Sequence, residues 1–137
     1  MEGYRLVAEV PMRFSDTDAM GHVNNANYLS FLECARVDYL RRVLSIVKIS
    51  EIGVIIARIE IDYKSPVFHN ETLCVGCRVS EIKGASMKME YRIEDKAAGR
   101  LVASAVSVMV AFDYGLNRPM RVSDEWRAKM EEFDGIT

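Results

Sequence analysis

Apolar and polar residues alternate with a period of two through four segments of this chain, and a single longer run with a helical period interrupts them. In the first segment Tyr4, Leu6, Ala8, Val10, Met12 and Phe14 take every even position, with Arg5, Glu9 and Arg13 among the residues between. Ile55, Ala57, Ile59, Ile61 and Tyr63 alternate with Arg58, Glu60, Asp62 and Lys64, and Pro66 closes that run. Leu73, Val75, Cys77 and Val79 form a third set, and Met87, Met89, Tyr91 and Ile93 a fourth, with a turn expected near Lys83 and Gly84. After a turn over Asp95–Arg100, the segment Leu101–Phe112 is apolar or small on both faces, which predicts a strand central in a sheet or buried on both sides. Successive side chains of a strand point to opposite faces, so each alternation describes a strand with one covered face.

The interrupting run places Tyr28, Phe31, Leu32, Ala35, Tyr39, Leu40 and Val43 at steps of three and four. That spacing predicts a helix of roughly five turns, with Asn24 or Asn25 as its N-cap. Ser123 reads as the cap of a short terminal helix carrying Glu125, Trp126, Met130 and Phe133. The order is therefore β-α-β-β-β-β. Four consecutive strands with short links favour antiparallel pairing, and one long helix on the concave face of a twisted five-stranded sheet satisfies both hydrophobic patterns. We expect an α+β fold in one domain spanning residues 1–137.

Composition narrows the function. A net charge of −2 provides no basic field for nucleic acid, and half the residues are hydrophobic, as in ordinary globular chains. No stretch has the pattern of a signal peptide or the length of a membrane span, so the expected location is cytoplasmic, without membrane attachment. Cys34, Cys74 and Cys77 are an odd count, consistent with reduced thiols. Cys74-Val75-Gly76-Cys77 has CxxC spacing, but residues three apart on a strand face opposite ways, so both are expected to be packed core cysteines. Two distant histidines and no clustered ligands give no expectation of a metal, and no Gly-rich phosphate loop points to a nucleotide cofactor.

The chemistry is concentrated in Asp16-Thr17-Asp18-Ala19-Met20-Gly21-His22-Val23-Asn24-Asn25-Ala26-Asn27-Tyr28. Two carboxylates, an imidazole, three amides and a phenol precede and begin the helix, where a cap alone needs one of them. The positive end of a helix, with its unpaired backbone N–H groups, suits a developing oxyanion. A carboxylate a few residues upstream can act as a base on water or as a nucleophile on a carbonyl carbon. Asp16 is expected to fix the loop through Asx-type hydrogen bonds.

This stretch resembles the signature of the hotdog thioesterases of the 4-hydroxybenzoyl-CoA thioesterase type, in particular their D-x-D-x-x-G-H-V-N-N-x-x-Y branch. Phe31-Leu32-Glu33-Cys34-Ala35-Arg36 resembles the family's central helix, Ile61-Asp62-Tyr63-Lys64-Ser65-Pro66 its second strand, and Asn117-Arg118-Pro119 its C-terminal end. The resemblance covers nearly the whole chain. It implies a hotdog fold and hydrolysis of an acyl-CoA thioester to a free acid and CoA, without a cofactor. By position, Asp18 matches the catalytic carboxylate, and the backbone amide near Asn25 matches the donor that polarises the thioester carbonyl. His22 matches a histidine with a catalytic assignment in plant acyl-carrier-protein thioesterases, although those carry Asn where this chain has Met20. The resemblance also implies active sites between subunits of a homodimer or homotetramer.

Asn24 and Tyr28 are further candidates for substrate contact, Tyr28 as a wall of the acyl pocket. Arg58, Lys64 and Arg92 are candidate cations for the CoA phosphates. Glu33 is expected to form a surface or interface ion pair with Arg36 or another arginine, and His69 to be solvated. Two alternatives are a non-catalytic acyl-CoA-binding hotdog protein and a hotdog 3-hydroxyacyl thioester dehydratase. The second needs a His and a carboxylate on opposite sides of a subunit interface, whereas Asp18 and His22 share one loop.

Overall fold

A computed structural model describes residues 1–48 and 53–136. The chain forms β1 (Leu6–Pro11), α1 (Tyr28–Leu44), β2 (Val54–Tyr63), β3 (Thr72–Lys83), β4 (Ser86–Asp95), β5 (Leu101–Asp113), β6 (Arg118–Pro119) and α2 (Asp124–Asp134). The five long strands make one antiparallel sheet in the order β1-β3-β4-β5-β2, and the two-residue β6 pairs with the end of β5. Consecutive strands β3, β4 and β5 are joined by hairpins, while β1 and β2, separated by α1 in sequence, become the two edges.

The helix forms where the helical period placed it. Phe31, Leu32, Ala35, Tyr39, Leu40, Val43 and Leu44 are buried on one side of α1, and its main contacts are with β1, β3 and α2. Ser45 ends it in the left-handed conformation, with Arg41 and Arg42 in the last turn, where positive charge is favoured. Leu32 is fully buried, and truncating such a residue to alanine costs about 2–5 kcal/mol. On β3 the inward set Leu73, Val75, Cys77 and Val79 is buried, while Cys74 lies half-buried on the outer face, so the two cysteines do face opposite ways and only Cys77 is a core residue. Ser123 Oγ accepts the Trp126 N–H at 3.1 Å and caps α2 as expected.

Three expectations are corrected. The β2–β5 register shifts between Ile56 and Arg58, so Ala57 sits in a bulge. Ile55 therefore pairs with Val110 on the outer face, while Ile56, Ile59, Ile61 and Tyr63 pair with the inward set Met109, Ser107, Ala105 and Ala103. Strand β5 lies inside the sheet between β4 and β2, as expected, with its inward residues buried and Val106, Val108 and Val110 half-buried on the other face. Phe14 does not continue the β1 face; it enters a 3₁₀ turn over Phe14–Asp16 and is 80% exposed. Glu33 forms no ion pair among the described residues, and Arg36 instead donates to the Tyr91 hydroxyl at 3.1 Å.

The terminal helix is tied to the core through one carboxylate. Asp134 accepts hydrogen bonds from the buried Tyr39 hydroxyl and from the Val79 N–H, the latter at 2.9 Å. Val79 borders a register shift in the β3–β4 ladder, so Asp134 supplies an acceptor where strand pairing is irregular. Burial raises the Asp134 carboxyl above the usual carboxylate range, against the lowering effect of these two donors. Asp134→Ala strands both donors, and urea unfolding should show a loss of about 1–3 kcal/mol. An unchanged unfolding midpoint would show that the tie contributes nothing.

Candidate active site

The loop before α1 is built on Asp16. Its carboxylate is buried and accepts the Arg13 N–H at 2.9 Å and the Arg13 guanidinium at 3.0 Å. Its main-chain carbonyl accepts both the Asn24 N–H and the Asn27 side-chain amide, each at 2.8 Å. The Arg13 hydrogen bonds hold the Asp16 carboxyl below the usual carboxylate range, although burial opposes them. Asp16 thus fixes the loop, but through Arg13 and its own carbonyl rather than through the Asx-type hydrogen bonds expected of it.

Between these anchors the chain makes a tight turn. The Asp18 N–H donates to the His22 carbonyl at 2.7 Å, and the Gly21 N–H donates to the Asp18 carbonyl at 3.0 Å. Gly21 has φ +80°, a conformation that strains other residues. The Asp18 carboxylate is exposed, and one oxygen, Oδ1, accepts the Met20 N–H at 2.8 Å. Val23 is buried and donates its N–H to the Val67 carbonyl at 2.7 Å, while His22 bridges to Phe68 with its ring edge-on at 5.0 Å. The turn is therefore held against the β2–β3 connection.

Asn24 is the cap, but of a 3₁₀ turn over Asn25–Asn27 that leads into α1; its Oδ1 accepts the Ala26 N–H at 2.9 Å. The Asn25 N–H finds no acceptor among the described residues, as expected of a first-turn amide. Across from it, the Tyr63 hydroxyl donates to the Asn25 carbonyl at 3.2 Å, and the Tyr63 ring lies edge-on to Tyr28 with centroids 5.0 Å apart.

These elements enclose an open depression of about 300 Å³ lined by Asp18, His22, Val23, Asn25, Tyr28, Tyr63, Lys64, Ser65 and Pro66. Of the residues picked out in the sequence, Asp18, His22, Asn25, Tyr28 and Lys64 come together here, and Asn24 supports the turn from behind. Arg58 does not join them. It is on the outer face of β2, as its place next to the inward Ile59 requires, and it is paired with Glu60. Arg92 likewise faces outward and pairs with Glu94 at 2.6 Å. Tyr63, Ser65 and Pro66 were not singled out, since nothing local in their sequence shows that the end of β2 meets the start of α1. Arg100 fastens this wall, donating to Ser65 Oγ at 3.2 Å, the Pro66 carbonyl at 3.0 Å and Glu71 at 2.9 Å. Among the described residues no group of three or more His, Cys, Asp or Glu side chains is arranged to hold a metal ion.

A carboxylate with one free oxygen and a residue with an unpaired helix-start amide, lining one small depression, form an arrangement suited to acyl transfer. The chain matches the family described as the thioesterase-like superfamily over residues 12–130, and it belongs to that family. It is 32% identical over 124 residues to the acyl-CoA thioesterase YbgC of Haemophilus influenzae, covering 87% of this chain and 89% of that one. It is 29% identical over 127 residues to the long-chain acyl-CoA thioesterase FadM of Escherichia coli, covering 91% and 96%. A thioesterase structure from Thermus thermophilus, complexed with coenzyme A and Zn, superimposes with a TM-score of 0.90 at 32% identity, covering 98% of each chain. The expected hotdog fold is thereby established, with a curled antiparallel sheet, a long helix and a short C-terminal helix.

The Asp16 tie carries a pH signature. A carboxyl whose folded pKa lies below its unfolded value adds stability above the unfolded pKa, and that stability is lost as pH falls through the folded pKa. Asp16→Asn should therefore be less stable than wild type at neutral pH, with the difference closing below about pH 4. Denaturant titrations of both proteins across that range check this; a constant difference would show that the charge is not involved.

Proposed function

We propose that the protein is a cytoplasmic acyl-CoA thioesterase in which Asp18 acts on the thioester carbonyl and the N-terminal turn of α1 polarises it. The observation that carries this reading is that Asp18 and Asn25 line one depression, with the Asn25 N–H unpaired among the described residues. The thioester oxygen sits against that amide. Asp18, oriented by the Met20 N–H, either takes a proton from water as it adds to the carbonyl or attacks the carbonyl itself to form an anhydride that water then opens. In both routes the C–S bond breaks and the products are a carboxylic acid and the CoA thiol. His22 and Tyr28 contact bound substrate at the mouth and wall, and Lys64 offers a cation for the CoA phosphates.

The working unit is a homodimer or larger assembly in which a second copy completes the site. Strand β2 is an open edge of ten residues, and Ile56, Ile59 and Ile61 on its inner face are only half-buried. A long edge with incompletely covered apolar residues is a surface for pairing. Light scattering on the eluting protein should give at least twice the chain mass, and Ile59→Lys should shift it toward the monomer. A wild-type protein that elutes as a monomer would remove the shared-site arrangement.

Incubation with aromatic, short-chain and long-chain acyl-CoAs, followed by measurement of free thiol, tests the activity. A long-chain ester is the first to try, given the Escherichia coli relative. Asp18→Asn keeps the shape of the side chain and removes its charge, and turnover should fall at least ~10²-fold. Near-full activity in that variant would exclude Asp18 as base or nucleophile.

A further inference from the structure

We infer that Tyr63 is a positioning residue for the turn that polarises the thioester carbonyl, an inference that rests on the thioesterase reading above. The 3₁₀ turn before α1 has two attachments on its loop side, where the Asp16 carbonyl receives the Asn24 N–H and the Asn27 side-chain amide. Neither touches Asn25, which lines the depression and whose N–H is unpaired among the described residues. The hold on Asn25 itself comes from the opposite wall, through the 3.2 Å hydrogen bond from the Tyr63 hydroxyl to its carbonyl. That carbonyl also receives the Tyr28 N–H, so the phenol joins the point at which the 3₁₀ turn passes into the helix.

The phenol is mounted on fixed backbone. Tyr63 is the last residue of β2, in register with Ala103, and the next two N–H groups, of Lys64 and Ser65, both donate to the Val102 carbonyl at 2.8 and 3.2 Å. Its ring is set against Tyr28 at an interplanar angle of 84°. A donor acting on a developing oxyanion is effective only within a narrow geometry. A turn held on one side alone would be free to rock about that attachment. The Tyr63 hydroxyl supplies the second side, from an element distant in sequence.

Tyr63→Phe removes the hydroxyl and keeps the ring packing. With an acyl-CoA that the wild type hydrolyses, kcat should fall about five- to tenfold while KM and the thermal midpoint stay close to wild type. Hydrogen exchange of the Asn25–Tyr28 amides should quicken in the variant. Loss of stability with kcat retained in the folded fraction would make Tyr63 a packing residue only, and unchanged kcat with unchanged exchange would overturn the inference. A wild type that releases no thiol from any ester overturns the thioesterase reading and the catalytic part of this one, whereas an active wild type with an equally active Tyr63→Phe overturns this one alone.

Discussion

The Asp16 carbonyl accepts two hydrogen bonds that come from residues eight and eleven positions ahead, and the arrangement of the site depends on it. Through those bonds the loop carrying Asp18 and the turn that starts α1 become one unit. The Asp16 side chain faces the other way and is held by Arg13, so its backbone cannot rotate without breaking both sets. Between the fixed ends at Asp16 and Asn24, seven residues close on themselves through the Asp18–His22 and Gly21–Asp18 bonds. A chain this short between two anchors has few conformations to lose, so the exposed Asp18 carboxylate keeps a defined direction without being buried.

The same depression sits where the sheet is least covered. Helix α1 packs mainly on β1 and β3, at one side of the sheet, whereas Tyr63 belongs to β2, at the other edge. The residues that line the depression therefore come from both the covered and the uncovered parts of the sheet. A substrate entering there meets fixed backbone at the start of α1 and a more open wall along β2. Arg100 compensates on that side, since a single guanidinium joins Ser65, Pro66 and Glu71 and so prevents the wall from parting from the β4–β5 turn.

Much of this was legible in the sequence because it is local. The helical period of Tyr28 to Val43, the inward set of β3, the Ser123 cap and the Asp16–Tyr28 segment each express interactions between residues close along the chain. What was not legible depends on partners across the sheet. Period-two alternation gives the faces of a strand but not its neighbours, so nothing in the sequence placed β1 beside β3 or β2 at the far edge. The bulge at Ala57 has no local signature, because alanine fits either face, yet it turns Ile55 outward. Tyr63 read as the last apolar residue of a strand, and its hydroxyl acquires a role only when the end of β2 is brought to Asn25.

The division between local and distant determinants bears on what this fold can vary. The groups proposed to act on the thioester lie within eight residues, Asp18 to Asn25, and their geometry is set by hydrogen bonds inside or beside that segment. The walls are set by separate elements: Val23 and Tyr28 near the helix, and Tyr63 to Pro66 at the end of β2. A substitution in a wall can reshape the space for an acyl group without moving the Asp18 carboxylate, provided that it spares the ties to Asp16 and Asn25. Conversely, a change at Gly21 would force the turn out of its left-handed conformation and displace Asp18 while leaving every wall residue in place. Chemistry and selectivity are thus carried by physically separable parts of one small depression.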